Sequence, residues 1–164
     1  MAEEKPKVKT RIMYLPRPAS KYPGSYPLHF EKRIPELIGT DRFIHMFAGA
    51  STSGYRVDIN PETKPDMVAD CQHLDKIADN TFEGGFADPP YTEEFALKLY
   101  GTEYPKYNLW SKELVRVVKP GGLVGIMNNY IVPRPDGCSF EEIVVILLRI
   151  KQYPKVVTIF RKDK

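Results

Sequence analysis

Past Gly39 the chain alternates short apolar runs, bounded by Gly, Pro and Asp, with two stretches of helix formers. Few architectures other than an α/β sheet satisfy that alternation, because strands separated by helical crossovers pair in parallel. Phe43–Phe47, Tyr55–Ile59, Met67–Ala69 and Phe86–Ala87 read as short strands, and Leu123–Met127, Val144–Leu148 and Val156–Phe160 as longer ones. Glu93–Tyr100 and Leu109–Val118 read as helices, the second with an apolar face of Leu109, Leu114, Val117 and Val118. Lys119-Pro120-Gly121-Gly122 ends that helix and turns the chain into the next strand. Upstream, Phe30, Ile34, Leu37 and Ile38 recur at helical spacing, with Gly39 as the stop.

The first forty residues differ in texture, since six of the fifteen prolines fall there. Residues 1–19 are expected to form a flexible, basic and Pro-rich tail, and residues 20–164 a single domain. A chain of 164 residues accommodates one hydrophobic core, and 42% apolar with 27% charged residues is the balance of an ordinary globule. No apolar run approaches the ~20 residues a membrane helix needs, so no membrane association is expected. Cys71 and Cys138 form neither a CxxC pair nor a disulfide framework, which points to the cytoplasm and away from structural zinc. No metal is expected: His45 and His73 lack ligand spacing and read as structural. The net charge of +3 permits a polyanionic partner without demanding one.

Chemistry concentrates where the strands end, because open α/β sheets bind ligands beyond the carboxyl ends of their strands. The first strand runs into Phe47-Ala48-Gly49, whose small residues let a ligand approach the backbone. The next three end at Asp58, at Asp70 and at Asp88-Pro89-Pro90-Tyr91. Asp also caps helices and starts turns, and that reading suits any one of the three better than all of them in register. In the last motif two prolines stiffen the backbone beside an acceptor and a flat ring. That combination suits a planar ring bearing an amine: the ring stacks on Tyr91, while Asp88 and a proline-restricted carbonyl accept from the amine. A rigid turn with a surface tyrosine is the other reading.

These motifs resemble the class I S-adenosylmethionine-dependent methyltransferases, and among them the amino-methyltransferases that modify adenine or cytosine in nucleic acids. The resemblance covers about residues 20–162 and implies a Rossmann-like fold, a largely parallel central sheet with helices on both faces. It implies that Asp88, Pro89, Pro90 and Tyr91 are the catalytic D-P-P-Y motif. It implies that Phe47, Ala48 and Gly49 form the cofactor loop, with Asp58 on the ribose hydroxyls and Asp70 and Cys71 beside the adenine. Tyr22, Pro23, Gly24 and Ser25, in the stretch Tyr22–Pro27, resemble the segment that touches the cofactor's carboxylate. The implied cofactor is S-adenosylmethionine. The implied reaction is methyl transfer to an exocyclic base amine, adenine first and cytosine second, in DNA or RNA. Two alternatives stay open: a methyltransferase of a small planar amine, and a non-catalytic subunit that supports a partner.

The chain also departs from that pattern. Asp58 lies only nine positions beyond Gly49, too few for a helical crossover, so a tight loop or single turn is expected between the first two strands. The hydroxyls of Ser51, Thr52 and Ser53 then either replace missing helix N-terminal donors or simply form a turn. The two segments open to target recognition, 92–122 and 128–143, are short. Their candidates for substrate contact are Tyr104 and Trp110, in an aromatic stretch with Lys106 interleaved, and Asn128 and Tyr130. The aromatics serve equally as a cover over the sheet. So small a chain favours single-stranded or structured RNA, a homo-oligomer, or a specificity subunit that adds surface.

Overall fold

The computed structural model describes residues 7–16, 26–27, 29–148 and 153–164. Eight strands form one sheet: β1 (Lys9–Tyr14), β2 (Phe43–Met46), β3 (Tyr55–Asp58), β4 (Met67–Val68), β5 (Gly84–Ala87), β6 (Leu123–Asn128), β7 (Cys138–Leu147) and β8 (Lys155–Lys162). Their order is β1-β7-β8-β6-β5-β2-β3-β4. All pairings are parallel except those of β8, which runs antiparallel to both β6 and β7. The expected largely parallel sheet is therefore present, with one reversed strand.

Helices cover both faces. The helix α1 (Ile34–Ile38), entered through a 3-10 turn at Glu31–Arg33, buries Ile34, Leu37 and Ile38 with Phe30, Phe43 and Phe86 on one face. It stops at Gly39, where φ is 73°. On the other face α3 (Tyr107–Val117) buries Trp110, Leu114, Val115 and Val117 against Ile44, Met46, Val124 and Ile126. Between them in sequence lies α2 (Glu93–Tyr100), whose start is capped by Thr92 Oγ1 accepting from the Phe95 amide at 3.1 Å.

Two expectations need correction. Residues 9–14 of the supposed tail are an edge strand, parallel to β7. Met13 packs on the α1-side core, and Arg11 Nε lies 3.0 Å from Glu142 Oε1. Strand pairing and an ion pair hold this segment, and both partners lie more than a hundred residues away, out of sight of the local sequence. Likewise β7 begins six residues before Val144, because Glu141 and Glu142, which interrupt its apolar pattern, are paired with Arg161 and Arg11.

The first crossover is the expected tight loop, with no helix between Met46 and Tyr55. Gly54 closes it at φ 75°, where a Cβ would stand 2.6 Å from the Phe43 ring, so no side chain fits. The chain leaves β2 outward through β3 and β4, then returns to pair β5 with the other side of β2 and continues through β6. That reversal makes β2 and β5 the switch point, where such sheets open a crevice.

Candidate functional site

The strand register assembles the crevice. Met46 pairs with both Val57 and Ala87, so Phe47, Asp58 and Asp88, each one position further on, stand side by side at the carboxyl ends of β2, β3 and β5. Neighbouring strands lie about 4.8 Å apart. On the β3 side is a cavity of about 190 Å³ whose walls include Phe47, Asp58, Ile59, Asp70, Cys71 and Pro105. Asp58 is 1% exposed. Its Oδ2 accepts from the Gly49 amide at 2.7 Å and its Oδ1 from the Asn60 amide at 2.9 Å. Burial pushes its carboxyl up, and these amides oppose the shift. Asp58 thus fixes the loop after β2 from the wall of the cavity.

Phe47 adopts φ 55°, in the left-handed region, and its ring meets Trp110 edge-on at 5.5 Å. Cys71 is 2% exposed and burial pushes its thiol up, so it is a wall of the cavity rather than a nucleophile. Asp70 accepts from the Gln72 amide at 2.9 Å. Four of the residues read from sequence for the cofactor, Phe47, Asp58, Asp70 and Cys71, therefore line one cavity. Ala48 and Gly49 form its loop, and Tyr22, Pro23, Gly24 and Ser25 lie outside the described residues.

The hydroxyl cluster finds a partner within the chain. Glu31 Oε1 accepts from Ser51 Oγ, the Thr52 amide and Thr52 Oγ1. In this conformation those donors serve a carboxylate of the protein itself and are not open to a ligand.

On the β5 side, Pro89 and Pro90 are buried and Asp88 is partly exposed. Tyr91 donates its hydroxyl to Asp88 Oδ1 at 2.8 Å. The Lys155 ammonium sits 3.8 Å from the centroid of the Tyr91 ring and donates to Asn129 Oδ1 at 3.3 Å. One face of the ring expected to stack on a base is therefore covered by a cation. Burial pushes the Asp88 carboxyl up to about 7, against the pull of the Tyr91 hydroxyl and the Lys155 charge.

Behind Asp88 stands His45, fully buried on β2. Its Nδ1 faces the Ser53 carbonyl at 2.9 Å and its Nε2 the Tyr26 hydroxyl at 2.7 Å. Burial lowers its pKa to about 4, so the ring is neutral at pH 7. Only a proton on Nδ1 satisfies the carbonyl, which leaves Nε2 to accept from Tyr26. Sequence reading missed His45 and Lys155 as members of the site, and named Tyr26 only as part of the stretch expected at the cofactor's carboxylate. His45 is indeed core, as expected, but also anchors Tyr26. For Lys155 no local signal exists.

Of the substrate candidates, Tyr130 is exposed and Tyr104 half-buried beside it. The other two are corrected. Trp110 is 2% exposed, with its ring edge-on to Phe47 and Tyr107, so no face is left for a base. Asn128 is buried and its Oδ1 accepts from the Asn129 amide at 2.7 Å, closing its own turn.

No protein-family model matches the chain, and no curated protein sequence does. Solved structures do resemble it. TrmN from Thermus thermophilus superposes with TM-score 0.64 at 17% identity over 87% of this chain and 51% of TrmN. This chain thus spans about half the length of that protein. A complex between the Haloferax volcanii Trm112 methyltransferase activator and a methyltransferase gives TM-score 0.60 at 12% identity, covering 83% of this chain and 90% of the other. The N-methyltransferase NodS from Bradyrhizobium japonicum, in complex with S-adenosyl-l-homocysteine, gives 0.58 at 10% identity, with 82% and 84% covered. The fold is the Rossmann-like methyltransferase fold. At such identities the likeness speaks to fold, and the site is argued from its own geometry. Among the described residues no helix is long and apolar enough to cross a membrane.

Proposed function

We propose that the chain is an S-adenosylmethionine-dependent methyltransferase acting on an exocyclic amine of a nucleic-acid base, adenine first and cytosine second. The observation that carries this reading is the register at the switch point, which sets the Asp58 cavity and the Asp88-Pro89-Pro90-Tyr91 ledge next to each other. A donor in the cavity and an acceptor amine on the ledge would then meet across the end of β2.

The residues present fit the cofactor. Asp58 offers acceptors to ribose hydroxyls, Phe47, Ile59 and Cys71 offer apolar walls to a flat base, and Asp70 borders the same cavity. When bound, the cofactor supplies a methyl group on a positively charged sulfur. Asp88, as a carboxylate, accepts an N–H of the substrate amine and draws the nitrogen lone pair out of conjugation. It thereby strengthens the nucleophile and holds the proton that must leave once the N–C bond forms and the C–S bond breaks. Pro89 and Pro90 hold the acceptor backbone still, and Tyr91 orients Asp88 through its hydroxyl. No covalent intermediate on the protein is needed, which agrees with the inert setting of Cys71.

RNA is favoured over duplex DNA, since extracting a paired base costs a few kcal/mol and this chain has little surface to offset that. A protein partner would add such surface, and the Trm112-bound neighbour supports that possibility for this fold. Incubation with labelled S-adenosylmethionine and RNA, single-stranded DNA or small planar amines, followed by nucleoside mass spectrometry, tests the reading. Label on a base amine is expected, and label only in a free metabolite defeats the nucleic-acid assignment. Calorimetry showing no cofactor binding to the isolated chain would favour the supporting-subunit alternative.

Asp58→Asn provides a separate check on the donor side. The amide retains one acceptor oxygen for two backbone N–H groups, so one buried amide loses its partner. Cofactor affinity is expected to fall about tenfold or more and stability by about 1–2 kcal/mol, read by calorimetry and urea denaturation. Unchanged affinity would remove Asp58 from the donor cavity's recognition set.

A further inference from the structure

The Lys155 ammonium is placed by topology rather than by any motif. Because β8 runs antiparallel to β6, its first residues lie at the carboxyl end of β6, with Val156 opposite Asn128. Lys155 is thereby delivered to the mouth of the crevice, between Asn129 and the Tyr91 ring. Among the described residues no carboxylate forms an ion pair with it, and its charge acts on Asp88, which in turn opposes the lowering of the lysine by burial.

We infer that Lys155 is a positioning residue of the transfer site: seated on one face of Tyr91, it fixes the Tyr91–Asp88 pair and leaves the opposite face of the ring for the substrate. The inference rests on the reading of Asp88 as the acceptor for the amine. An ammonium over an aromatic face is held by the ring's quadrupole, and here the charge of the same cation acts on the carboxylate that the ring's hydroxyl contacts. Pinning the ring from one side keeps its hydroxyl on Asp88 Oδ1. The positive charge favours the ionised carboxyl, the form that accepts from an amine. The groups facing Asp88 are Tyr91 from its own loop, Lys155 from β8 and Tyr26 from the segment before α1; His45 and Glu31 stand behind Tyr26. Of these only Lys155 brings a positive charge, so its removal has a defined sign.

The test is a carboxyl-carbon NMR titration of Asp88 in the full chain, without substrate, for wild type, Lys155→Met and Lys155→Arg. The Asp88 midpoint, about 7 in the wild type, is expected to rise by about half to one unit in Lys155→Met. Lys155→Arg should restore most of the shift. The acidic limb of the pH–rate profile for methyl transfer should move up by the same amount, with KM for the cofactor unchanged. A midpoint that stays put in Lys155→Met, or that arginine does not restore, overturns the inference. Should Lys155→Met fail to fold, Lys155→Gln removes the charge with a polar tip and carries the same expectation. The titration needs no turnover. A shift without base methylation therefore overturns the substrate reading alone, and turnover without a shift overturns the lysine's role alone.

Discussion

Asp88→Ala should lose methyl transfer by about a thousandfold or more in kcat, the scale seen when a preorganised polar group at the reacting atom is removed. Binding of S-adenosylmethionine should change by no more than about twofold, because the donor cavity is built by Phe47, Asp58, Asp70 and Cys71, and Asp88 is not among its walls. The split follows from the register, which puts the donor side on β3 and the acceptor side on β5 with β2 between them. The alanine also frees the Tyr91 hydroxyl from its 2.8 Å bond, so the ring loses its orientation together with the acceptor. Single-turnover assays with labelled cofactor measure the first effect and calorimetry the second. Retained turnover would strip Asp88 of its assigned role, and loss of cofactor binding would mean that the two halves of the crevice are one.

Asp88→Asn should make the same protein more stable at alkaline pH. Burial lifts the Asp88 carboxyl to about 7 in the folded chain, whereas an unfolded chain holds Asp near 3.9, so the native state binds the extra proton between these values. Wild-type stability therefore falls as pH rises from about 4 to about 7 and is flat above, where the buried charge is fully present. A shift of about three units caps the effect at about 4 kcal/mol. Asp88 is partly exposed, and water reaching its carboxyl reduces the cost to about 1–3 kcal/mol. Asparagine carries no charge, and its carbonyl still accepts from Tyr91. Its advantage should be absent below about pH 4, develop through pH 7 and persist at pH 8. Urea denaturation at pH 4 and pH 8 checks this, and equal stability of the two proteins at pH 8 would show that the carboxylate is not held at a cost. An inactive variant that is more stable than its parent is what a strained acceptor site predicts.

The alternation of apolar runs with helix formers was enough for the α/β class, and α2 runs over the expected Glu93–Tyr100. The nine-residue step from Gly49 to Asp58 foretold the missing helix after β2, because chain length limits what a crossover can contain. Asp58, Asp70 and Asp88 were legible for a similar local reason, as each marks the point where an apolar run stops. Properties that depend on residues distant in the chain were not legible. The strand status of Lys9–Tyr14 depends on β7, more than a hundred residues away, and on the pairing of Arg11 with Glu142. Trp110 reads equally as a base-stacking aromatic and as a cover over the sheet until α3 packs it against Phe47. Lys155 reaches Tyr91 only because β8 reverses direction, and Glu31 meets Ser51 and Thr52 only because the 3-10 turn before α1 lies beside the loop after β2. Local order follows from neighbouring side chains and backbone preferences. The charge state of Asp88 follows from desolvation and from groups on three separate segments, which the chain brings together only by folding.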